Sequence, residues 1–110
     1  MLQMLIIDGS ASSREMFRGC LDGQARCRMA KTGREGLEMF SEATKAGEFF
    51  DVAVVDIDLA DIDGPTVLAS LRDIEETLDV EESRKATVIA ISDGNDPQVL
   101  LKAQYESGAD

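Results

Sequence analysis

Three short apolar segments of the sequence are each followed at once by a side chain that could do chemistry. These three polar residues are Asp8, Asp56 and Ser92. Asp56 stands out because three more aspartates follow it within seven residues. A carboxylate in such a position is costly to bury unless a metal ion or a cationic group faces it. Asp56 is therefore the leading candidate for the functional residue.

The apolar segments themselves predict strands of a parallel sheet. They show no regular alternation of apolar and polar positions, which is typical of strands buried on both faces. In an open parallel sheet, ligands bind beyond the carboxyl ends of the strands, so two carboxylates and a hydroxyl would meet at one edge. The preference of Asp and Ser for turns explains any one of the three equally well. The three together favour a functional site.

Helix signals alternate with the strand signals along the chain. The predicted strands are residues 2–7, 25–30, 51–56 and 86–91, and the predicted helices are residues 12–21, 33–47, 65–78 and a segment that begins at Pro97. This order indicates an α/β domain in which helices cover both faces of a parallel sheet. The apolar residues of the predicted helices recur on one face, so we expect them to form the core.

The chain is short and strongly acidic. Its 110 residues predict one domain, residues 1–110. With 22 acidic and 11 basic residues the net charge is -11, which argues against nucleic-acid binding and fits a domain that binds Mg²⁺ or a basic partner surface. No apolar stretch approaches the ~20 residues of a membrane span, and the first residues lack the basic start of a signal peptide. We therefore expect a cytoplasmic protein without membrane contact.

Histidine is absent from the sequence, and the two cysteines are Cys20 and Cys27. This composition does not make a zinc site of the ordinary type. It also excludes histidine as a general base and excludes a role as phosphohistidine donor. We expect both cysteines to be small buried apolar side chains in a reducing compartment.

Five sequence motifs, in this order, resemble the receiver domain of bacterial two-component response regulators. They are LIIDGSASSR, AKTGREGLEMF, VVDIDLADIDG, VIAIS and SGAD. They are similar to the family's first strand and acidic turn, its second-helix entry, its phosphoacceptor loop, its switch-hydroxyl strand and the segment before its last strand. The resemblance covers essentially the whole chain. It implies a three-layer, doubly wound, flavodoxin-like α/β fold of strand order 2-1-3-4-5, with the fifth strand and helix absent from this chain.

The resemblance also implies a role for each candidate residue. Asp56 would accept a phosphoryl group from a histidine kinase or phosphotransfer protein. Asp8, Asp56 and the backbone carbonyl of Asp58 would hold Mg²⁺, and Ser92 would be the hydroxyl that moves toward the phosphoryl oxygens. Such a domain catalyses only its own phosphorylation and dephosphorylation, so it is not an enzyme in the usual sense. The resemblance also leaves room for an effector domain beyond residue 110 and for a homodimer.

The sequence departs from the family pattern at four places. Gly9 replaces the second acidic residue after the first strand, which should weaken Mg²⁺ binding because one oxygen ligand is lost. Ala60 replaces a proline of the loop, and Asp93 replaces a small residue. The family's lysine lies beyond its last strand, so no lysine of this chain takes that role.

Three other functions agree with part of this sequence. A pseudo-receiver, which binds partners without being phosphorylated, is favoured by Gly9 and Asp93 and disfavoured by the intact Asp8, Asp56 and Ser92. An aspartate-nucleophile phosphatase would use Asp56 and Asp58. It also needs a hydroxyl residue shortly after them, and Leu59 and Ala60 supply none. A calcium loop fails because its first and twelfth positions carry unsuitable residues, Leu59 and Ser70. For Asp61 and Asp63 a solvated turn remains an open explanation.

Overall fold

Four parallel strands form one sheet in this computed structural model, which describes residues 2–10, 23 and 25–91. The strands are β1 (Leu2–Ile7), β2 (Ala25–Ala30), β3 (Val52–Asp56) and β4 (Thr87–Ile91). They lie in the order β2-β1-β3-β4, and every adjacent pair is parallel. This confirms the predicted doubly wound arrangement, in which the chain reverses its direction of travel across the sheet between β2 and β3.

Two helices and one 3₁₀ turn connect the described strands. They are α1 (Gly33–Lys45), α2 (Gly64–Thr77) and the turn Glu82–Arg84. Both helices begin at a side-chain cap: the hydroxyl of Thr32 accepts from the backbone N–H of Glu35 at 3.1 Å, and Asp63 caps α2. The predicted helices at residues 12–21 and from Pro97 onward lie outside the described residues. Among the residues that are described, no helix is long and apolar enough to cross a bilayer.

Apolar side chains lie on both faces of the sheet, as the strand pattern predicts. On one face, α1 and α2 cover the larger cluster, which includes Ile7, Val55, Phe40 and Leu71. On the other face, Met4, Ile6 and Val54 form a smaller buried cluster, and the half-buried Cys27 packs against it. Cys20 lies outside the described residues. Burial on two faces explains the continuous apolar segments of β1 and β3. The same expectation is wrong for β4, whose described residues alternate between exposed and buried, with Ile89 37% exposed.

The position of α1 over β1 depends on a close contact at Gly36. A Cβ atom at Gly36 would lie 2.4 Å from Cδ1 of Ile7, and Ile7 is itself fully buried. A side chain at this position would therefore push the helix away from the strand that ends at Asp8.

A buried ion pair connects α2 to the start of β4. Glu75 is only 2% exposed, and its Oε1 atom accepts from the Nη1 atom of Arg72 at 2.8 Å. Its Oε2 atom accepts from the backbone N–H of Ala86 at 2.7 Å. Arg72 also donates to the carbonyl oxygen of Ala86 at 2.9 Å. The apolar stripe predicted for this helix did not include Glu75. Its burial is compensated because its carboxylate, the guanidinium of Arg72 and both main-chain polar groups of Ala86 satisfy one another.

Candidate functional site

Asp8 and Asp56 lie side by side at the carboxyl edge of the sheet. Ile7 of β1 is the register partner of Val55 of β3, so the next residue on each strand is an aspartate. Adjacent strands are about 4.8 Å apart. The two carboxylate side chains belong to residues that are only 1% and 6% exposed. The structure thus brings together the two acidic residues that the sequence singled out.

Each of these carboxylates is oriented by the main chain of its own turn. Oδ1 of Asp8 accepts from the backbone N–H of Ser10 at 2.7 Å, and Oδ1 of Asp56 accepts from the backbone N–H of Asp58 at 2.9 Å. Bonds of this kind, from an aspartate to the N–H two residues later, close a tight turn. They also restrict the rotation of the carboxyl groups, so that both groups are held in one orientation.

The loop that follows Asp56, residues 57–63, is closed at its base. The backbone N–H of Gly64 donates to the carbonyl oxygen of Ile57 at 3.2 Å. A Cβ atom at Gly64 would lie 2.2 Å from the Cα atom of Ile57. Because that neighbour is backbone, no rotation of a side chain would relieve the clash, and glycine is required for this close approach.

Asp61, near the tip of the same loop, bonds to the first turn of α1. Its Oδ1 atom accepts from the backbone N–H of Gly33 at 2.9 Å, and its Oδ2 atom accepts from that of Arg34 at 3.0 Å. The hydrogen bonds from Arg34 and Gly33 lower the pKa of Asp61 below its ordinary value of 3.8, because they stabilise the charged form.

Asp63 caps the other helix. Its Oδ1 atom accepts from the backbone N–H of Thr66 at 2.8 Å, and hydrogen bonds from Thr66 lower the pKa of Asp63 as well. The sequence left Asp61 and Asp63 open to the explanation of a solvated turn. The structure agrees with an exposed turn at both residues and adds that each carboxylate accepts hydrogen bonds from the first turn of a helix.

A cleft of about 290 Å³ opens between this loop and the ends of the strands. Its lining residues are Gly9, Ser10, Lys31, Thr32, Asp56, Asp58, Leu59, Ala60 and Asp61. A Cβ atom at Gly9 would lie 3.3 Å from the carbonyl oxygen of Lys31, so the main chain at Gly9 packs closely against the residue that follows β2. The sequence reasoning missed Lys31, although its position directly after β2 is a signal that could have found it.

Comparisons with known proteins were made by sequence and by structure. No family model and no curated protein matches the sequence. A CheY-like response regulator receiver domain protein from Methanospirillum hungatei has 22% identity and a TM-score of 0.72, and the match covers 100% of this chain and 78% of that one. This chain has the fold of response-regulator receiver domains.

Two further receiver domains are similar to this chain. The receiver domain of the histidine kinase CKI1 from Arabidopsis thaliana, complexed with Mg²⁺ and BeF₃⁻, has 22% identity and a TM-score of 0.78, with 99% of this chain and 77% of that one covered. The receiver domain of Ssk1, in a complex with the Saccharomyces cerevisiae phosphotransfer protein Ypd1, has 18% identity and a TM-score of 0.77, with 99% and 74% covered. At these identities the likeness concerns the fold.

The groups at the carboxyl edge of this receiver fold suit a magnesium ion. Mg²⁺ binds to oxygen ligands, takes only one or two carboxylates and keeps several water molecules. Asp8 and Asp56 offer two carboxylates at this edge, and the carbonyl oxygen predicted as a further ligand belongs to Asp58, which lines the same cleft as Asp56. Within residues 2–10 and 25–91 no three side chains of the His, Cys, Asp and Glu types lie close enough together to hold a metal by themselves. The Mg²⁺ site predicted from the sequence therefore requires main-chain oxygen and water as well.

The predicted hydroxyl of the receiver site, Ser92, lies outside the described residues, as does Asp93. The structure describes the strand that leads to them. Ile91, the last residue of β4, is the register partner of Asp56, so β4 ends at the same edge of the sheet as the two carboxylates. The switch role of Ser92 stays a prediction.

Proposed function

We propose that this chain is a phosphoacceptor receiver domain of a two-component phosphorelay. Asp56 accepts a phosphoryl group from the phosphohistidine of a partner histidine kinase or phosphotransfer protein. The observation that carries the proposal is the pairing of two buried carboxylates, Asp8 and Asp56, at the adjoining ends of two parallel strands. Two like charges so close together repel each other, and a cation bound between them relieves this repulsion; phosphoryl transfer uses such a cation.

The proposed reaction is a displacement at phosphorus. A carboxylate oxygen of Asp56 forms the new P–O bond, the P–N bond to the histidine breaks, and the imidazole leaves with the electron pair. Asp8, Asp56 and the carbonyl oxygen of Asp58 would hold Mg²⁺, which neutralises charge on the equatorial phosphoryl oxygens. The bond from the N–H of Asp58 to Oδ1 of Asp56 holds the nucleophile in one orientation.

The similar structures support two details of this proposal, the Mg²⁺ ion and the phosphotransfer partner. One of these receiver domains was complexed with Mg²⁺ and BeF₃⁻, and another was complexed with a histidine phosphotransfer protein. For this chain we propose the same cation and the same kind of partner, in the cytoplasm. The negative charge that phosphorylation adds would then draw the hydroxyl of Ser92 toward the phosphoryl oxygens, which is the conformational switch.

The experiment that tests this function is phosphorylation by a small donor. Incubation with acetyl phosphate and Mg²⁺ is expected to add one phosphoryl group, seen as an increase in intact mass, and peptide mapping should place it on Asp56. The Asp56→Asn variant should show no adduct. The control Asp73→Asn, which changes an exposed aspartate of α2, should react like the parent. An adduct on Asp58 or Asp61 that survives Asp56→Asn would overturn the assignment.

One observation favours a second candidate function, a pseudo-receiver that binds partners without being phosphorylated. Gly9 lines the cleft where the family pattern has a second carboxylate, so a ligand of the cation is missing. This candidate predicts that the folded protein takes no phosphoryl group from acetyl phosphate and shows no change on Mg²⁺ titration. Under the primary proposal both responses are present.

A further inference from the structure

The loop that carries Asp58 is held by hydrogen bonds at its base and, separately, near its tip. Its base is closed by the bond from Gly64 to Ile57. Near its tip, Asp61 bonds to Gly33 and Arg34 of α1, which are 28 and 27 positions away in the sequence. The second attachment is therefore a tertiary contact, and it crosses from the β3–α2 loop to a helix that begins beside β2.

We infer that Asp61 is a positioning residue for the metal site, because it holds the main chain near Asp58 in the place from which its carbonyl oxygen binds the cation. This inference rests on the proposed function, since it concerns the same cation site. Asp61 does not touch the reacting atoms in this account. It acts through the loop, in the way that outer-shell partners orient the ligands of a metal.

Three properties make this attachment strong enough to position the loop. Both carboxylate oxygens of Asp61 are used, so the group is held in one plane. The two N–H groups belong to the first turn of a helix, where no carbonyl of the helix is available to accept from them. The acceptor is an anion at the positive end of the helix dipole, which makes the bonds charge-assisted. The lowered pKa of Asp61 agrees with this.

Without the attachment, the loop would keep its base contact but lose its fixed tip. Ile57 and Gly64 would still meet, while the residues between them would sample more main-chain conformations. Binding of the cation through a main-chain oxygen would then have to order these residues, and that ordering costs conformational entropy. The expected result is weaker cation binding with only a small change in the fold, because Asp61 is exposed.

Asp63 provides a matched control in the same loop. It is also an exposed aspartate with a lowered pKa, and it also caps a helix. Its bond, however, is local, since Thr66 is three positions away. Removing the charge of Asp63 changes the electrostatics of the loop without releasing its tip from α1.

Three variants distinguish the effect of the charge of Asp61 from the effect of where its carboxylate is placed. Asp61→Glu keeps the charge but places the carboxylate one methylene further from the main chain. Asp61→Asn removes the charge and keeps one oxygen acceptor. Asp63→Asn removes the same charge from the control position. Mg²⁺ affinity of each full chain is measured by calorimetric titration, and amide hydrogen exchange of residues 57–62 is measured without metal.

If Asp61 positions the loop, Asp61→Glu weakens Mg²⁺ binding about tenfold although the net charge is unchanged. The same variant speeds amide exchange in residues 57–62 and at Gly33 and Arg34. Asp61→Asn shows a comparable or smaller loss of affinity. The control variant, Asp63→Asn, stays within about twofold of the parent, as expected for a change that only alters screened surface charge.

Two results would overturn the inference and leave the proposed function intact. In the first, Asp61→Glu binds Mg²⁺ like the parent. In the second, Asp61→Asn and Asp63→Asn weaken binding equally while Asp61→Glu does not, which would show that charge alone matters. A different result, in which the folded parent binds no Mg²⁺ and takes no phosphoryl group from acetyl phosphate, would remove the proposed function and this inference with it.

Discussion

Gly9 is the residue of the candidate metal site at which a substitution would add a third carboxylate. It follows Asp8 directly and lines the cleft that Asp56 also lines. A Cβ atom here would lie 3.3 Å from the carbonyl oxygen of Lys31, so a side chain requires that the main chain move by a few tenths of an ångström. Substitutions at position 9 therefore allow a comparison of the site with and without a third carboxylate.

The substitution Gly9→Asp is expected to tighten Mg²⁺ binding by about 1–2 kcal/mol, because it adds a charged oxygen ligand. It should also lower the melting temperature without metal, since the new carboxylate, Asp8 and Asp56 then repel one another. Gly9→Ala is the control, because it makes the same contact with Lys31 and adds no ligand. If a calorimetric titration gives equal Mg²⁺ affinity for the parent and Gly9→Asp, the prediction is wrong, because the site then does not need a third carboxylate.

At the scale of elements, the structure depends on contacts between helices and strand ends. The pair of Arg72 and Glu75 fixes α2 to Ala86, the residue just before β4. Gly36 lets α1 approach β1, and Gly64 lets α2 begin against Ile57. Each contact fixes a helix against a strand or a strand end: Gly36 against β1, Gly64 against the residue after β3, and Glu75 against the residue before β4.

Replacing Glu75 with glutamine is expected to destabilise the protein by about 1–3 kcal/mol, because one buried donor is left without an acceptor. Both partners of Glu75, the guanidinium of Arg72 and the N–H of Ala86, are donors, and an amide accepts through only one of its two heavy atoms. The free energy of unfolding is measured in urea.

The matched control for this prediction is Glu76→Gln on the same helix. Glu76 is exposed, so its loss of charge should change the unfolding free energy by no more than about 0.5 kcal/mol. Equal effects of the two substitutions would contradict the importance of the buried pair.

At the scale of the whole molecule, acidic charge dominates. The net charge is -11, and the proposed site adds local repulsion because Asp8 and Asp56 are neighbours at the edge of the sheet. A high net charge keeps a protein soluble but destabilises its compact state through self-repulsion. The same charge would attract Mg²⁺ and a basic partner surface toward the cleft.

Raising NaCl from about 20 mM to about 300 mM should therefore increase the melting temperature, because the Debye length falls well below the size of the protein. Mg²⁺ at matched ionic strength should increase it further. The variant Asp56→Asn should melt higher than the parent without metal, since one of two neighbouring charges is gone, and it should lose most of the additional Mg²⁺ effect. An Mg²⁺ effect of the same size in the variant would place the ion elsewhere.

For the described residues, the order of strands and helices and the proximity of Asp8 and Asp56 follow from the sequence alone. Continuous apolar segments and helical periodicity are local patterns, and each reports burial directly. The bounds predicted for β1 and β2 agree with the structure, whereas β3 and β4 each begin one residue later than predicted. The difference at Asp51 is only one of strand-end definition, because its main chain bonds to Gln3 and to Thr87. At Ala86 the N–H bonds to the side chain of Glu75.

Only the tertiary structure decided the roles of Glu75 and Asp61 and the place of Lys31 in the cleft. Glu75 is buried although its side chain is charged, and Asp61 bonds to a helix that begins 28 positions earlier in the chain. No local pattern encodes either contact, because each partner is a backbone or guanidinium group brought near by the packing of other elements. Polar contacts of this kind are decided by which donors the fold places within reach, and that is known only once the sheet and helices are assembled.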